Sequence, residues 1–486
     1  VSYMAMSIRL SPSLTKAILF AAEKMSGPIG SGLKRILWKV YMRKYHSVED
    51  SFVATAADWG RYNEDLKRAL FTIKGSTLET SEEGLERCLD RATEMVISGT
   101  KKRMEEFSAS LRFPTTVLFA LGILLPMMMG AMLPLVSLGN LDLSYRGSGF
   151  GTPQQSGWAQ PVLIILMMDF TFPLATYLYA MSILAKRPGT GSIIEVEDGT
   201  NPSKTGSLIA VSALALFLIT IGLAKVDSFG PYLIILSLTL PASIHLMCTT
   251  HHRRKRRAEV LKMEREFPDA LFQLGTRISE GSPPERAILE TARSMKGAGI
   301  ADLFYRMYYR TTVFGLTLEE SLFGEKGLLA ELPSRTVRAA IRSFIDAARK
   351  DPISAGQMMS KTSEYLRDLQ RLEEDTRRRL RTSVDGIRMT SLFFAPIVMG
   401  VTFSLYALLV ETFSRIGAAD NMMAPNIFLI VLGVYLFLMA AIAMYFVAAI
   451  ENGSSKTERD YSIGFGVLVS TTVFALSSIV GQLAVA

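Results

Sequence analysis

The sequence predicts an all-α, polytopic membrane protein in which two repeated cytoplasmic helical bundles alternate with about seven transmembrane helices. Three observations carry this. Seven stretches are apolar for the roughly 20 residues that a bilayer crossing needs. Two long polar blocks, 1–112 and 251–387, space their apolar residues at a helical period, and no hairpin signal flanked by alternating strands stands out. The second block also repeats the first at one constant offset of 270 positions.

Composition bounds the same answer. The 486 residues are 49% hydrophobic and 20% charged, with a mean hydropathy of +0.26. That is too apolar for a soluble protein and too charged for one made only of spans. The formal charge of +8 suits basic cytoplasmic loops beside anionic lipid. Nucleic acid would also suit it, but the positive-inside bias alone produces such a balance, so no nucleic-acid partner is expected. Cys88 and Cys248 lie far apart and form no CxxC, and the four histidines form no HExxH. Neither a metal nor any other cofactor is expected.

Residues 1–112 are read as the first bundle. Ala17, Ile18, Ala22 and Met25 fall on one helical face. The stretch GPIGSGLKR, Gly27–Arg35, has the glycines of a phosphate loop without its chemistry. Leu33 follows Gly32 where lysine must stand, and Arg35 replaces the magnesium-binding hydroxyl. It reads as a small-residue turn between two helices, so the chain is not the motor of any machine it serves. A charged helix, Leu85–Phe113, joins this bundle to the membrane.

Residues 113–250 hold four spans, at about 113–137, 159–185, 206–225 and 230–250. Asp169, in MMDFTFP, is a mid-span carboxylate, and a charge at that depth faces protein or a polar cavity. It either guides the charged end of a membrane-embedded substrate or, the commoner case, is a protonated acid bonded to a neighbouring helix. Next come Arg253, Arg254, Lys255, Arg256 and Arg257. The run reads first as a topology determinant against anionic headgroups, worth about 1 kcal/mol per basic residue, and second as a docking surface.

Residues 251–387 are the second bundle. In RISEGSPPERAI, Arg277–Ile288, Ser282 is expected to cap a helix, with Pro283 at its first position and Glu285 as the capping-box carboxylate. Glu266, Phe267 and Pro268 are expected to precede the first helix of this bundle. Their counterparts would fall before residue 1, so the chain is expected to begin inside a helix, with at least one further span upstream. A second charged helix, Met358–Asp385, carries Arg377, Arg378, Arg379 and Arg381, spaced for i, i+4 pairs with Glu373, Glu374 and Asp375. Residues 388–486 hold three spans, at about 388–411, 426–450 and 462–484. Pro126, Pro173, Pro241 and Pro396 lie inside spans, where each frees a carbonyl and permits a kink.

Orientation follows from lysine and arginine. The run at 251–257 marks its side as cytoplasmic. The 186–204 loop and Lys456 with Arg459 agree, while the 140–155 and 414–425 loops carry one arginine each and fall outside. Both polar blocks are then cytoplasmic and the C-terminus is outside the cell membrane.

The repeat is continuous. The offset aligns Ile8 with Ile278, Ala17 with Ala287, Gly27 with Gly297, Leu33 with Leu303, Ser51 with Ser321 and Glu94 with Glu364. It then enters the membrane, where Pro126 matches Pro396 and Gly130 matches Gly400. Internal duplication is the simplest explanation.

An apolar helix, then RISEGSPPERAI, then GLTLEES at Gly315–Ser321, then a long charged helix running into a span: this order resembles the type II secretion system F family. Its members are membrane platforms of type II secretion systems, type IV pili and the archaellum, and the extra spans here are most similar to the archaeal branch. The resemblance implies a non-enzymatic assembly platform, dimeric or larger. It implies a cytoplasmic hexameric secretion ATPase and pilin-like or archaellin subunits as partners, and an ATPase-docking role for the two basic runs. The first copy departs at two points, with Ser11 for Gly281 and Tyr45 for Gly315, so no ligand site is expected to be shared. The competing reading is a secondary transporter or channel, a class that also uses internal repeats. Against it, the repeats are parallel and the spans hold only one buried carboxylate.

Overall fold

Proline and glycine set where the helices begin and end. The computed structural model describes residues 1–25, 27–126, 128–130, 165–187, 212, 230–324, 327–328, 335–349, 351–415, 423–453 and 455–485, and among them every regular element is helical. The chain divides into two units, Val1–Glu106 with Arg256–Thr376, and Phe107–Lys255 with Arg377–Ala486. The polar blocks thus fall in one unit and the apolar segments in the other.

The first unit opens with α1 (Ser2–Leu10), α2 (Leu14–Lys24), α3 (Pro28–Tyr41), α4 (Val48–Gly60), α5 (Glu64–Ser76) and the start of α6 (Glu82–Ser110). Local chemistry places the starts. The Ser47 hydroxyl accepts from Asp50 N–H at 3.1 Å and the Asn63 side chain from Leu66 N–H at 3.0 Å, each satisfying an orphan donor. Ile8, Ile18, Ile36, Phe52, Ile73 and Leu89 close the core between these helices. Each such side chain contributes about 1.5–3 kcal/mol by leaving water. The glycine-rich Gly27–Arg35 segment differs from its expected turn. Only Gly27, with φ +92°, turns the chain; Pro28 then starts α3, because its fixed φ suits a first helical position.

The same unit holds the end of α9 (Gly230–Ser279), α10 (Pro284–Ser294), α11 (Ala301–Val313), α12 (Leu318–Phe323), α13 (Arg335–Ala348) and the start of α14 (Pro352–Met389). Phe267, Leu274, Ile288, Phe304, Phe344 and Met359 form its second core, which Met6 of α1 also enters. The expected cap at Ser282 is not made. A residue before proline is driven out of the helical region, so Pro283, preceding Pro284, takes the extended N-cap position with ψ 139° and no side chain caps the helix. Ser282 instead closes the preceding helix: its N–H donates to Arg277 O while Gly281 N–H donates to Ile278 O, both at 3.0 Å. This is a Schellman ending, and it needs the φ of +89° at Gly281. The capping box lies at Thr317 and Glu320, where side chain and backbone bond reciprocally. Pro268 does not precede a helix either; α9 runs unbroken through it.

Residues 270 apart take like places. Helices α2 and α10, α4 and α12, and α6 and α14 begin at matching positions. Gly27 and Gly297 both have positive φ, at +92° and +99°. Ile8 and Ile278, Ala17 and Ala287, Leu33 and Leu303, and Ser51 and Ser321 are all buried.

The second unit contains α7 (Arg112–Phe119) with a π turn at Ala120–Leu124, a π turn at Leu166–Thr171 leading into α8 (Phe172–Ala185), and the first part of α9. After α14 come a π turn at Thr390–Phe394, α15 (Ala395–Arg415), α16 (Pro425–Asn452) and α17 (Lys456–Val485). Helices α15, α16 and α17 pack on one another, and α8 packs on α16. Their shared core includes Met399, Phe403, Phe428, Leu432, Tyr435 and Phe474. Among the described residues, five helical runs are long and apolar enough to cross a membrane: Glu82–Gly130, Gly230–Ser279, Pro352–Arg415, Pro425–Asn452 and Lys456–Ala484. The chain is therefore a membrane protein. The expected span at 159–185 is described only from residue 165. Apart from Ser212, the one at 206–225 lies outside the described residues, as do the 140–155 loop and most of the 186–204 loop.

Candidate functional site

Three of the prolines inside the expected spans share a local device. Pro126, Pro173 and Pro396 each follow a π turn that ends two residues earlier. Proline has no N–H, and its ring crowds the carbonyl four residues back. A single wide turn before it re-registers the backbone bonds, as membrane helices do around proline. The π turns before Pro126 and Pro396 match at the 270-residue offset, and both prolines are buried. For Pro126 the freed carbonyl is that of Gly122. The Tyr435 hydroxyl of α16 donates to it, so a buried acceptor and a buried phenol satisfy one another. Pro241 stands apart, since α9 passes through it without a π turn.

Asp169 sits in the π turn ahead of Pro173. Its Oδ1 is buried and has no hydrogen-bond partner among the described residues. Its neighbour Met168 belongs to the same apolar cluster as Tyr435, and this turn packs on α16. The Asp169 and Pro126 positions are thus brought to one helix, α16, although they lie 43 positions apart in two consecutive expected spans.

The basic runs are less free than their sequence suggests. Arg254 pairs with Glu458 at 3.4 Å and lies 4.0 Å from the centre of the Tyr461 ring, which holds α9 to the start of α17. Lys255 and Arg256 are exposed, and Arg253 and Arg257 are half-buried. Around the second run a longer-range pair stands beside an i, i+4 pair. Glu374 pairs with Arg265 of α9 at 4.0 Å, because the two helices lie side by side, and Arg381 pairs with Asp385 at 4.0 Å. Arg378 and Arg379 are exposed.

Arg377 acts on Arg187, a residue the sequence did not single out. The Arg187 Nη1 donates to Ala449 O at 2.7 Å, in the last turn of α16, where helix carbonyls lack partners. Burial first, and the nearby Arg377 charge second, hold the Arg187 guanidinium below its ordinary pKa. Arg388 completes the cluster, bonding Asp385 at 3.0 Å and Glu451 at 2.5 Å with both ends of the latter pair largely buried. The first basic run is thus pinned to α17 through Arg254, and Arg388, further along α14 than the second run, joins that helix to the end of α16.

Gly281 and Gly315, with φ +89° and +62°, are turn residues. Their counterparts explain the departures between the copies. Ser11 is extended, with φ −159°, so no left-handed residue is needed there. At the end of α3 the left-handed position falls on Arg43, φ 52°, two residues ahead of Tyr45.

Within the first unit, α6 and α14 flank a cleft of about 520 Å³ lined by Arg9, Asp90, Glu94, Lys361, Glu364 and Arg371 among others. Arg9 bridges to Glu86 at 3.1 Å and Asp90 at 2.6 Å. Glu94 and Glu364, 270 apart, face the same space. Compared with protein-family models, curated proteins and solved structures, the chain finds no match.

Proposed function

We propose that this chain is a non-enzymatic membrane platform of the type II secretion system F kind, with bundles duplicated from one ancestral module. It would couple a cytoplasmic hexameric secretion ATPase to the extraction of pilin-like or archaellin subunits from the bilayer and their assembly into a filament. Both bundles are then cytoplasmic, the C-terminus is outside, seven helices span the membrane, and the platform works as a homo-oligomer.

One observation carries the reading. Two charged bundle helices, α6 and α14, begin 270 residues apart and lead into apolar helices through π turns that are again 270 apart. The second of these runs is a single helix of 64 residues, Pro352–Arg415. A helix that is continuous from a soluble bundle into lipid resists compression and twist, so force applied at one end reaches the other. The Gly27–Arg35 stretch lacks the lysine and hydroxyl of a phosphate loop, and under this reading the work comes from a partner.

The test is co-purification of the full-length protein with the secretion ATPase encoded in the same genome. Binding is expected, and charge reversal at Arg377, Arg378 and Arg379 is expected to weaken it while membrane insertion is unchanged. Absence of any binding by the unaltered chain would sink the platform reading. The transporter reading draws on one feature, the unbonded Asp169 Oδ1 in a π turn. Under the platform reading Asp169→Asn leaves filament assembly intact unless that carboxylate guides the subunit; ion-coupled uptake lost with Asp169→Asn would favour transport instead.

A further inference from the structure

Helix α3 has two unlike faces. Leu33 and Ile36 are buried in the first core, while Lys34, Arg35, Trp38, Tyr41 and Met42 recur at helical spacing on the opposite, exposed face. Trp38 is 60% and Tyr41 82% exposed, and their rings stack at 6.1 Å. An exposed aromatic pair of this size on a soluble surface marks an interaction site more often than a scattered apolar residue does. Arg43 and Lys44 extend the face beyond the helix.

The charge is as one-sided as the apolar character. No aspartate or glutamate occurs between Glu23 and Glu49. Lys34, Arg35, Arg43 and Lys44 make no ion pair among the described residues, and Lys39 lies over the Tyr45 ring. The positions 270 later lack this charge: Lys34, Arg35, Arg43 and Lys44 are matched by Phe304, Tyr305, Val313 and Phe314. Arg43 also holds the one positive φ of a non-glycine residue among those described.

The patch lies at one end of its bundle. Met25, at the loop between α2 and α3, borders a cavity with Val96, Ile97 and Thr100 of α6. Helix α3 returns antiparallel to α2, toward the part of α6 where Glu86 and Asp90 meet Arg9. The Trp38–Lys44 end is therefore near the start of α6, about 30 Å of helix from Glu106, where α6 leaves the unit. That end of the unit is opposite the one from which α6 runs on into the apolar segment.

We propose that this face, Lys34, Arg35, Trp38, Tyr41, Arg43 and Lys44, docks a soluble protein that presents carboxylates around an apolar socket. Aromatic and arginine side chains are the residues that anchor protein interfaces, and unpaired surface charge sets encounter rate and partner choice. The proposal rests on the platform reading for the identity of its probe, the secretion ATPase.

The full-length chain in nanodiscs is titrated with that purified ATPase. The variants K34E/R35E/R43E/K44E and W38A/Y41A alter only exposed side chains, and retained helical circular dichroism checks their fold. Each is expected to bind about tenfold or more weakly, unaltered binding is expected to fall as salt rises, and K34R/R35K/R43K/K44R is expected to bind normally. Normal binding by both disruptive variants overturns the assignment of this surface and leaves the platform reading standing. Failure of the unaltered chain to bind overturns the platform reading, and the docking assignment with it. Loss of binding to phosphatidylcholine–phosphatidylglycerol vesicles with ATPase binding intact makes the face a lipid contact and overturns the proposal.

Discussion

Tyr435 illustrates how far one side chain's role depends on another's missing atom. Its hydroxyl meets the Gly122 carbonyl because Pro126 cannot. Tyr435→Phe is expected to cost about 0.6–1.5 kcal/mol, the range for a hydrogen bond between membrane helices. In a Pro126→Ala background, where an N–H is available within the helix, the cost should shrink; thermal unfolding of the detergent-solubilised protein, run as a double-mutant cycle, reads both. The first unit repeats the device: Gln370 Nε2 donates at 2.8 Å to Glu264 O, the carbonyl freed by Pro268. Arg43 is the opposite case, a residue held where glycine would be easier. Arg43→Gly is expected to stabilise the first bundle by about 1 kcal/mol, the cost of a left-handed conformation for a residue with a Cβ, measured by urea unfolding followed by Trp fluorescence. The sequence names Pro126 and its freed carbonyl, but Tyr435 lies 313 residues away and no local pattern points to it.

At the scale of elements, equal positions in the repeat need not be equally demanding. A Cβ on Gly400 would stand 2.8 Å from Ser478 N, because α15 and α17 cross with their backbones close; Ser404 Oγ donates at 3.2 Å to Ser478 O at the same crossing. A Cβ on Gly130 would find Thr402 Cγ2 at an ordinary 3.5 Å. Gly400→Ala is therefore expected to lower the thermal midpoint of the purified protein by several degrees and Gly130→Ala to leave it nearly unchanged, with size-exclusion fluorescence on heated samples as the readout. Acid should likewise separate the bundles. Glu290 is held below the ordinary carboxylate range by hydrogen bonds from Arg286 and then Arg277, Glu320 by the Thr317 N–H and then its hydroxyl, and Asp351 by Ser354 and then the Ile353 N–H. A lowered folded value means stabilisation that is present above the unfolded pKa of about 4 and lost as pH falls through the folded one. Below about pH 4 the amides of α10, α12 and early α14 should exchange hydrogen faster before those of α2–α4, as read by mass spectrometry. The starts of these helices were partly legible. Thr317 with Glu320 is a sequence-level capping signature, whereas Ser282 looked like one and was displaced by the Pro-Pro that follows it.

For the whole molecule, three long helices, α6, α9 and α14, each begin in one unit and end in the other. Linear boundaries near 112, 250 and 387 therefore cut through continuous helices, and two blocks read as separate in sequence belong to one unit. The proposed sidedness is testable with thiols. In otherwise cysteine-free chains, Cys88 and Cys248 are expected to react with a membrane-impermeant maleimide only after permeabilisation, and a cysteine placed by Gln482→Cys to react on intact cells. The reverse pattern would overturn the topology and, with it, cytoplasmic docking of an ATPase.

Hydrophobic period and length, by themselves, were enough to determine that this chain is helical and enters a membrane, since both follow from how many apolar residues occur and at what spacing. The constant offset was equally legible, because helix starts and turn glycines are local features that keep their register. Tertiary structure alone decided which distant group satisfies each freed carbonyl, which basic residues are already paired, and which face of α3 is left outward. Those outcomes depend on what a third element brings within 3 Å of a given atom, and no local pattern carries that distance.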